Sequence, residues 1–120
     1  MPIIKKSELE EKHFLPNISG KTFHSENNTF SFTHFRPGAD SHRHKHPVEE
    51  VLLIMEGGGE FMVDNVTHSV EAGDVVIIPA MVLHQFHATL DTRAIEIFQP
   101  QLTPQIMAMM MGDKFKDAAN

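Results

Sequence analysis

The stretch "SHRHKHPVEE", residues 41–50, sets His42, His44 and His46 at every second position and follows them with Pro47, Glu49 and Glu50. Side chains two apart share one face of an extended segment, so the three imidazoles can point the same way and two of them can chelate one ion. By itself a His-x-His is more often a solvated polar edge than a ligand pair. Imidazole and carboxylate are borderline nitrogen and oxygen donors, which suit iron, manganese, nickel, cobalt, copper or zinc and suit calcium poorly. The chain contains no cysteine, which excludes disulfides and thiolate metal sites.

The order of residues around the histidines narrows the choice. Gly38, five residues, His44-Lys45-His46, three residues, Glu50, six residues and Gly57 form one block; Gly73, five residues, Pro79, four residues and His84 form a second. Together these blocks resemble the paired motifs of the cupin family, in which the first supplies two histidines and a glutamate and the second supplies a further histidine. The resemblance spans roughly residues 30 to 100. It implies a small antiparallel jelly-roll β-barrel with His44, His46, Glu50 and His84 as ligands of one divalent transition metal. Four protein ligands on a six-coordinate ion would leave two positions for water or substrate. An open position allows Lewis-acid chemistry, activation of water or reaction with dioxygen. The register that uses His42 with His44 misplaces the glutamates and both flanking glycines, so His42 is expected to be exposed or to support a ligand. Glu49 should face away from Glu50. Two residues depart from the pattern: Met81 stands where a turn glycine is usual, and Ala88 where an asparagine is usual.

The elements that must hold these residues are legible as strands. "NTFSFTHFRPG" alternates, with Phe30, Phe32 and His34 on one face, Ser31, Thr33 and Phe35 on the other, and Pro37-Gly38 as its stop. "EEVLLIMEGGG" is a continuous apolar run that predicts a strand buried on both faces. "EFMVDNVTHSV" predicts a hairpin turning at Asp64-Asn65, and "GDVVIIP" and "RAIEIFQP" predict two more strands. Many short strands with Gly and Pro between them predict an all-β barrel core over about residues 20–100. Helices are expected only at the ends. Ser7 and Glu10 make a capping-box pattern for a helix over residues 7–12, while Thr103, Pro104 and a Gly112 stop predict a Met-rich helix over about 104–111.

Counting by twos places Phe86 and Ala88 on the face of His84, and Leu52 and Ile54 on that of Glu50, so most of the wall around the metal should be apolar. Phe86 is therefore a candidate substrate contact. His34 and Arg36 share a face on the early strand, and an inward Arg36 would hold a carboxylate bidentately. Glu96 and Phe98 share a face on the last strand, where Glu96 would act as a general base and Phe98 would touch substrate. The stretch "AIEIFQP" is similar to the final strand of small pectin-degradation cupins that linearise unsaturated uronates.

At 120 residues and 41% hydrophobic composition, one compact domain over residues 1–120 is expected. Sixteen acidic against ten basic side chains give a net charge of -6, which would repel a phosphate backbone, so no nucleic-acid partner is expected. No apolar run is long enough to span a bilayer, so no membrane partner is expected and the location read is cytoplasmic. Unpaired edge strands and apolar Phe and Met residues outside the motif strands predict a homodimer. The function implied is that of a metal-dependent enzyme acting on a small polar molecule such as a sugar acid or keto acid, by isomerisation, hydrolysis or dioxygenase chemistry. The alternative is a binding module without catalysis.

Overall fold

The computed structural model describes residues 3–108 and 110. Its strands are β1 (Lys12–Leu15), β2 (Ile18–His24), β3 (Thr29–Phe35), β4 (Glu49–Glu56), β5 (Gly58–Val63), β6 (Val66–Glu71), β7 (Val75–Ile78), β8 (His84–Ala88) and β9 (Thr92–Gln99). They form two sheets, one ordered β1-β2-β3-β9-β4-β7 and one ordered β6-β5-β8, with every pairing antiparallel. This is the jelly-roll arrangement expected from the sequence.

Local chemistry accounts for the turns. Asp64 and Asn65 both take positive φ, 51° and 66°, in the two-residue link between β5 and β6, where the primed turns that match strand twist require it. Gly57 sits at φ 83° between β4 and β5, and a Cβ there would collide with the backbone carbonyl of Asp91.

Between the sheets, Leu52, Ile54, Phe61, Ile78 and Phe86 form a core with Leu15, Ile18 and Phe35. Phe86 packs edge-on to Phe35 at 5.0 Å between ring centres and stacks on Phe61 at 5.1 Å. A second cluster, Val48, Phe98 and Leu102 with Ile106 and Met110, closes the other end. Ile18, Phe35 and Phe61 of the first cluster and Phe98, Leu102 and Met110 of the second line a cavity, whereas Leu52, Ile54, Ile78 and Phe86 do not.

Three expectations need correction. Residues 7–12 do not form a helix: Lys6–Glu8 make a single 3-10 turn with no side-chain cap, and Lys12 already begins β1. Pairing of Lys12 and His13 with Gly20 and Ser19 outweighs the weak local preference of a short polar segment. β4 is buried on one face only, through Glu50, Leu52 and Ile54, while Met55 is 55% exposed. The outer surface of its sheet carries Val51, Leu53 and Met55 beside Val75 and Ile77 of β7, and this apolar exterior explains the unbroken hydrophobic run. At the C-terminal end, residues 104–108 and 110 are helical. Thr103 caps them as expected, its Oγ1 accepting from the Ile106 N–H at 3.2 Å. Met109, Met111 and the proposed Gly112 stop lie outside the described residues.

Candidate metal centre

His44 and His46 lie in the segment between β3 and β4, not in a strand, yet burial still alternates: His44, His46, Val48 and Glu50 are buried while Lys45, Pro47 and Glu49 are exposed. His84 opens β8. The backbones of His44 and His84 pair, each N–H donating to the other's carbonyl at 3.0 and 2.9 Å. The pairing brings the rings together: centroids are 4.2 Å apart for His44 and His84, 4.8 Å for His46 and His84, and 5.7 Å for His44 and His46.

Each ring is oriented by a backbone carbonyl two residues away. Nδ1 of His44 donates to the carbonyl of His42 at 2.9 Å, Nδ1 of His46 to that of Val48 at 3.0 Å, and Nδ1 of His84 to that of Val82 at 2.9 Å. A carbonyl only accepts, so each Nδ1 holds a proton and each Nε2 is the atom left for a ligand. One nitrogen from each ring lies within 4.8 Å of the others. His84 Nε2 is buried and has no hydrogen-bond partner among the described residues. A buried unpaired acceptor is costly, and a cation removes that cost.

Glu50 lies beside this triad, its Oε1 at 3.0 Å from His46 Nε2 and 3.6 Å from His84 Nε2. Burial pushes its carboxyl pKa up, but when the His46 and His84 rings carry hydrogen on Nε2 as well as Nδ1, their hydrogen bonds and positive charge outweigh that and hold it well below the usual carboxylate range; a metal cation would take the place of those protons. Three oriented imidazoles and an ionised carboxylate fit a divalent transition metal. Among the described residues, the histidines grouped closely enough to hold an ion are His44, His46 and His84.

His42 contributes its carbonyl and not its ring. Its φ is 61° and its N–H donates to Asp40 Oδ1 at 2.7 Å, a conformation that breaks the alternation before His44. Met81 likewise takes φ 65°, so the turn before β8 keeps a glycine-like conformation, with the Met81 N–H donating to the His46 carbonyl at 2.8 Å.

A cavity of about 100 Å³ opens from the triad into the space between the sheets. His44, Glu50 and His84 line one part, and Glu96, Phe98, Ser31 and Thr33 line another. Phe98 meets the His46 ring edge-on at 5.8 Å. Leu102, Met107 and Met110 line the cavity from the C-terminal segment.

Of the remaining candidates, two lie elsewhere. Phe86 shares the inward face of β8 with His84, but it is 1% exposed within the solid core and does not line the cavity. Arg36 shares its parity with Phe30, Phe32 and His34, which face out of the sheet. It donates to Ser19 Oγ at 3.3 Å, away from the cavity lining. The cavity wall is mostly apolar, as expected, and the polar part of it on β3 comes from Thr29, Ser31 and Thr33, which share the buried face with Phe35. The alternation of "TFSFTHF" separated two faces without saying which is inward; the structure turns the hydroxyl face inward.

A model of the cupin domain matches residues 31–98, more than half the chain. The chain belongs to the cupin family. No curated protein matches this cupin at a significant level. Among solved structures, it is similar to an RmlC-like cupin from Shewanella frigidimarina, with 21% identity, TM-score 0.76, 81% of this chain covered and 88% of that one. It is also similar to KdgF from Halomonas sp., with 20% identity, TM-score 0.78 and 84% and 94% covered. An oxalate decarboxylase from Bacillus subtilis gives 16% identity and TM-score 0.77 over 86% of this chain and 30% of the other. At these identities the likeness establishes the cupin fold.

Proposed function

We propose that this cupin is a metal-dependent enzyme acting on a small polar organic molecule. One divalent transition metal would be held by His44, His46, His84 and Glu50. The observation that supports this most is the common orientation of the three rings, each with Nδ1 tied to a carbonyl and Nε2 left for the site. A bound ion would supply a Lewis acid that polarises a substrate oxygen and stabilises charge developing there.

The chain's own residues would do the rest. Glu96, on the cavity wall, would take a proton from substrate carbon or oxygen as general base, and Phe98 would pack against the substrate. Phe61, Phe35 and the C-terminal methionines would exclude water. The likeness to KdgF, a pectin-degradation cupin, and to an enzyme named oxalate decarboxylase supports an acid, enol or carbonyl substrate.

The test is turnover by metal-loaded protein against a panel of uronic, keto and hydroxy acids, with oxygen uptake followed in parallel. Turnover lost in Glu96→Gln at unchanged metal content supports the reading. Ligand binding without turnover of any panel member would instead make the protein a binding module.

A further inference from the structure

The wall of the cavity is mostly apolar, and most of the hydroxyls in it are already bonded inside the protein. Thr29 Oγ1 accepts from the Leu102 N–H at 2.8 Å and lies 2.8 Å from His24 Nδ1. Ser41 Oγ accepts from the Phe86 N–H at 2.9 Å and donates to the His42 carbonyl at 3.3 Å. Thr33 Oγ1 donates to Glu96 Oε2 at 2.8 Å and lies 2.8 Å from Ser31 Oγ. Hydroxyls satisfied in this way need no ligand, and the threonine methyls add to the apolar surface. The unmet polar demand lies instead at the triad, where His84 Nε2 is buried without a hydrogen-bond partner among the described residues.

The apolar surface is made chiefly by Phe35, Phe61, Phe98 and Leu102, with Met107 and Met110. Methionine is unbranched and polarisable, so these two side chains can mould themselves to a hydrocarbon group. A ligand hydroxyl placed against such a wall without a partner costs roughly tenfold to a hundredfold in affinity, whereas a methyl in the same place gains by leaving water. A cavity of about 100 Å³ is smaller than the roughly 150 Å³ apolar cavity that holds benzene, so the group it takes has fewer than about six carbons.

We infer that the site takes a small acid, enol or carbonyl compound whose polar groups all lie at one end, on the metal, and whose other end is a compact hydrocarbon group of about two to five carbons. A further hydroxyl or carboxylate on that group is disfavoured. The inference rests on the proposed metal site for the polar end and on the apolar wall for the other. It narrows the proposed substrates to those with a hydrocarbon far end.

The pair 2-hydroxybutanoate and glycerate tests it, because both offer the metal the same 2-hydroxy acid head and they differ only in a terminal methyl or hydroxyl. Each is titrated calorimetrically into metal-stripped protein and into loaded protein of measured metal content. The loaded protein is expected to bind 2-hydroxybutanoate at least tenfold more tightly than glycerate. Met107→Gln and Met110→Gln, nearly isosteric, put an amide on the wall that can bond the hydroxyl, and at least one should bring the ratio below about threefold. Glycerate binding as tightly as 2-hydroxybutanoate would mean that the half-buried Thr22 or another wall group receives the hydroxyl, and it overturns the inference. A ratio unmoved in both variants does so too, as does binding of neither acid to protein that holds its metal. Failure of the metal reading appears separately, as protein that takes up no metal or that binds 2-hydroxybutanoate equally with and without it.

Discussion

His44 and His84 exchange both of their backbone hydrogen bonds, at 3.0 and 2.9 Å, while their side chains turn toward the same point. The fold at this position is therefore held by the main chain and the chemistry by the rings. His84→Ala should abolish metal uptake at micromolar metal while leaving the metal-free protein folded, with its circular dichroism unchanged. A variant that unfolds would make the His84 ring a packing element instead.

Phe86 and Phe98 should separate in the same way. Phe86 fills the solid core, so Phe86→Ala should cost about 3–5 kcal/mol in denaturant unfolding whether or not ligand is present. Phe98 lines the cavity beside His46, so Phe98→Leu should cost less stability but weaken ligand binding. Equal stability losses with no change in binding would remove Phe98 from the site.

How much of this was legible differs by residue. The spacing of Gly38, His44, His46, Glu50, Gly57, Gly73 and His84 was enough to infer the family and the two-sheet barrel, because strand pairing and positive-φ turns impose those intervals. Arg36 falls on the outward parity of β3, which period-two counting leaves undecided, and Phe86 falls on the inward face but away from the cavity lining, because that counting gives a face but not its depth. The same counting puts Phe86 and His84 on one side, yet one lies in the solid core and the other at the cavity. The Ser31, Thr33 and Glu96 row depends on pairing between β3 and β9, residues about 63 apart in sequence, and no local pattern carries that. Met81 shows the reverse: the backbone tolerates a non-glycine at φ 65° because the His46 carbonyl anchors its N–H.

That left-handed conformation costs a residue with a Cβ about 1–2 kcal/mol. Met81→Gly should relieve it against the greater chain entropy of glycine, leaving thermal stability unchanged or raised by about 1 kcal/mol at most. A clear destabilisation, read as a lower midpoint in urea, would mean that the Met81 side chain contributes packing that its 55% exposure does not suggest.

Two pH windows should be separable. Metal binding needs three unprotonated Nε2 atoms, and protons compete with the ion at each of them, so the extra stability of loaded over stripped protein should shrink as the pH is lowered from 8. Glu50 acts lower. Its folded-state pKa is held below the ordinary value of about 4.5, so its contribution is present above that value and is lost as pH falls through the folded one. Thermal melts of both forms from pH 8 to 3 check this; identical pH dependence in the two would count against a histidine-held ion.

The outer face of the large sheet supports a homodimer. Val75 and Ile77 are 54% and 61% exposed beside Met55, and β1 and β7 are its edges. Light scattering at micromolar concentration should give twice the 13.5 kDa chain mass. Ile77→Asp should reduce it to one chain without unfolding. A monomeric parent would refute the dimer.

Metal analysis of freshly purified protein tests the central claim most directly. One equivalent of a divalent transition metal per chain is expected, falling to near zero in His44→Ala, His46→Ala and His84→Ala alike. A parent protein that holds no metal after exposure to iron, manganese, nickel, cobalt, copper and zinc in turn would contradict it, as would full occupancy in all three variants.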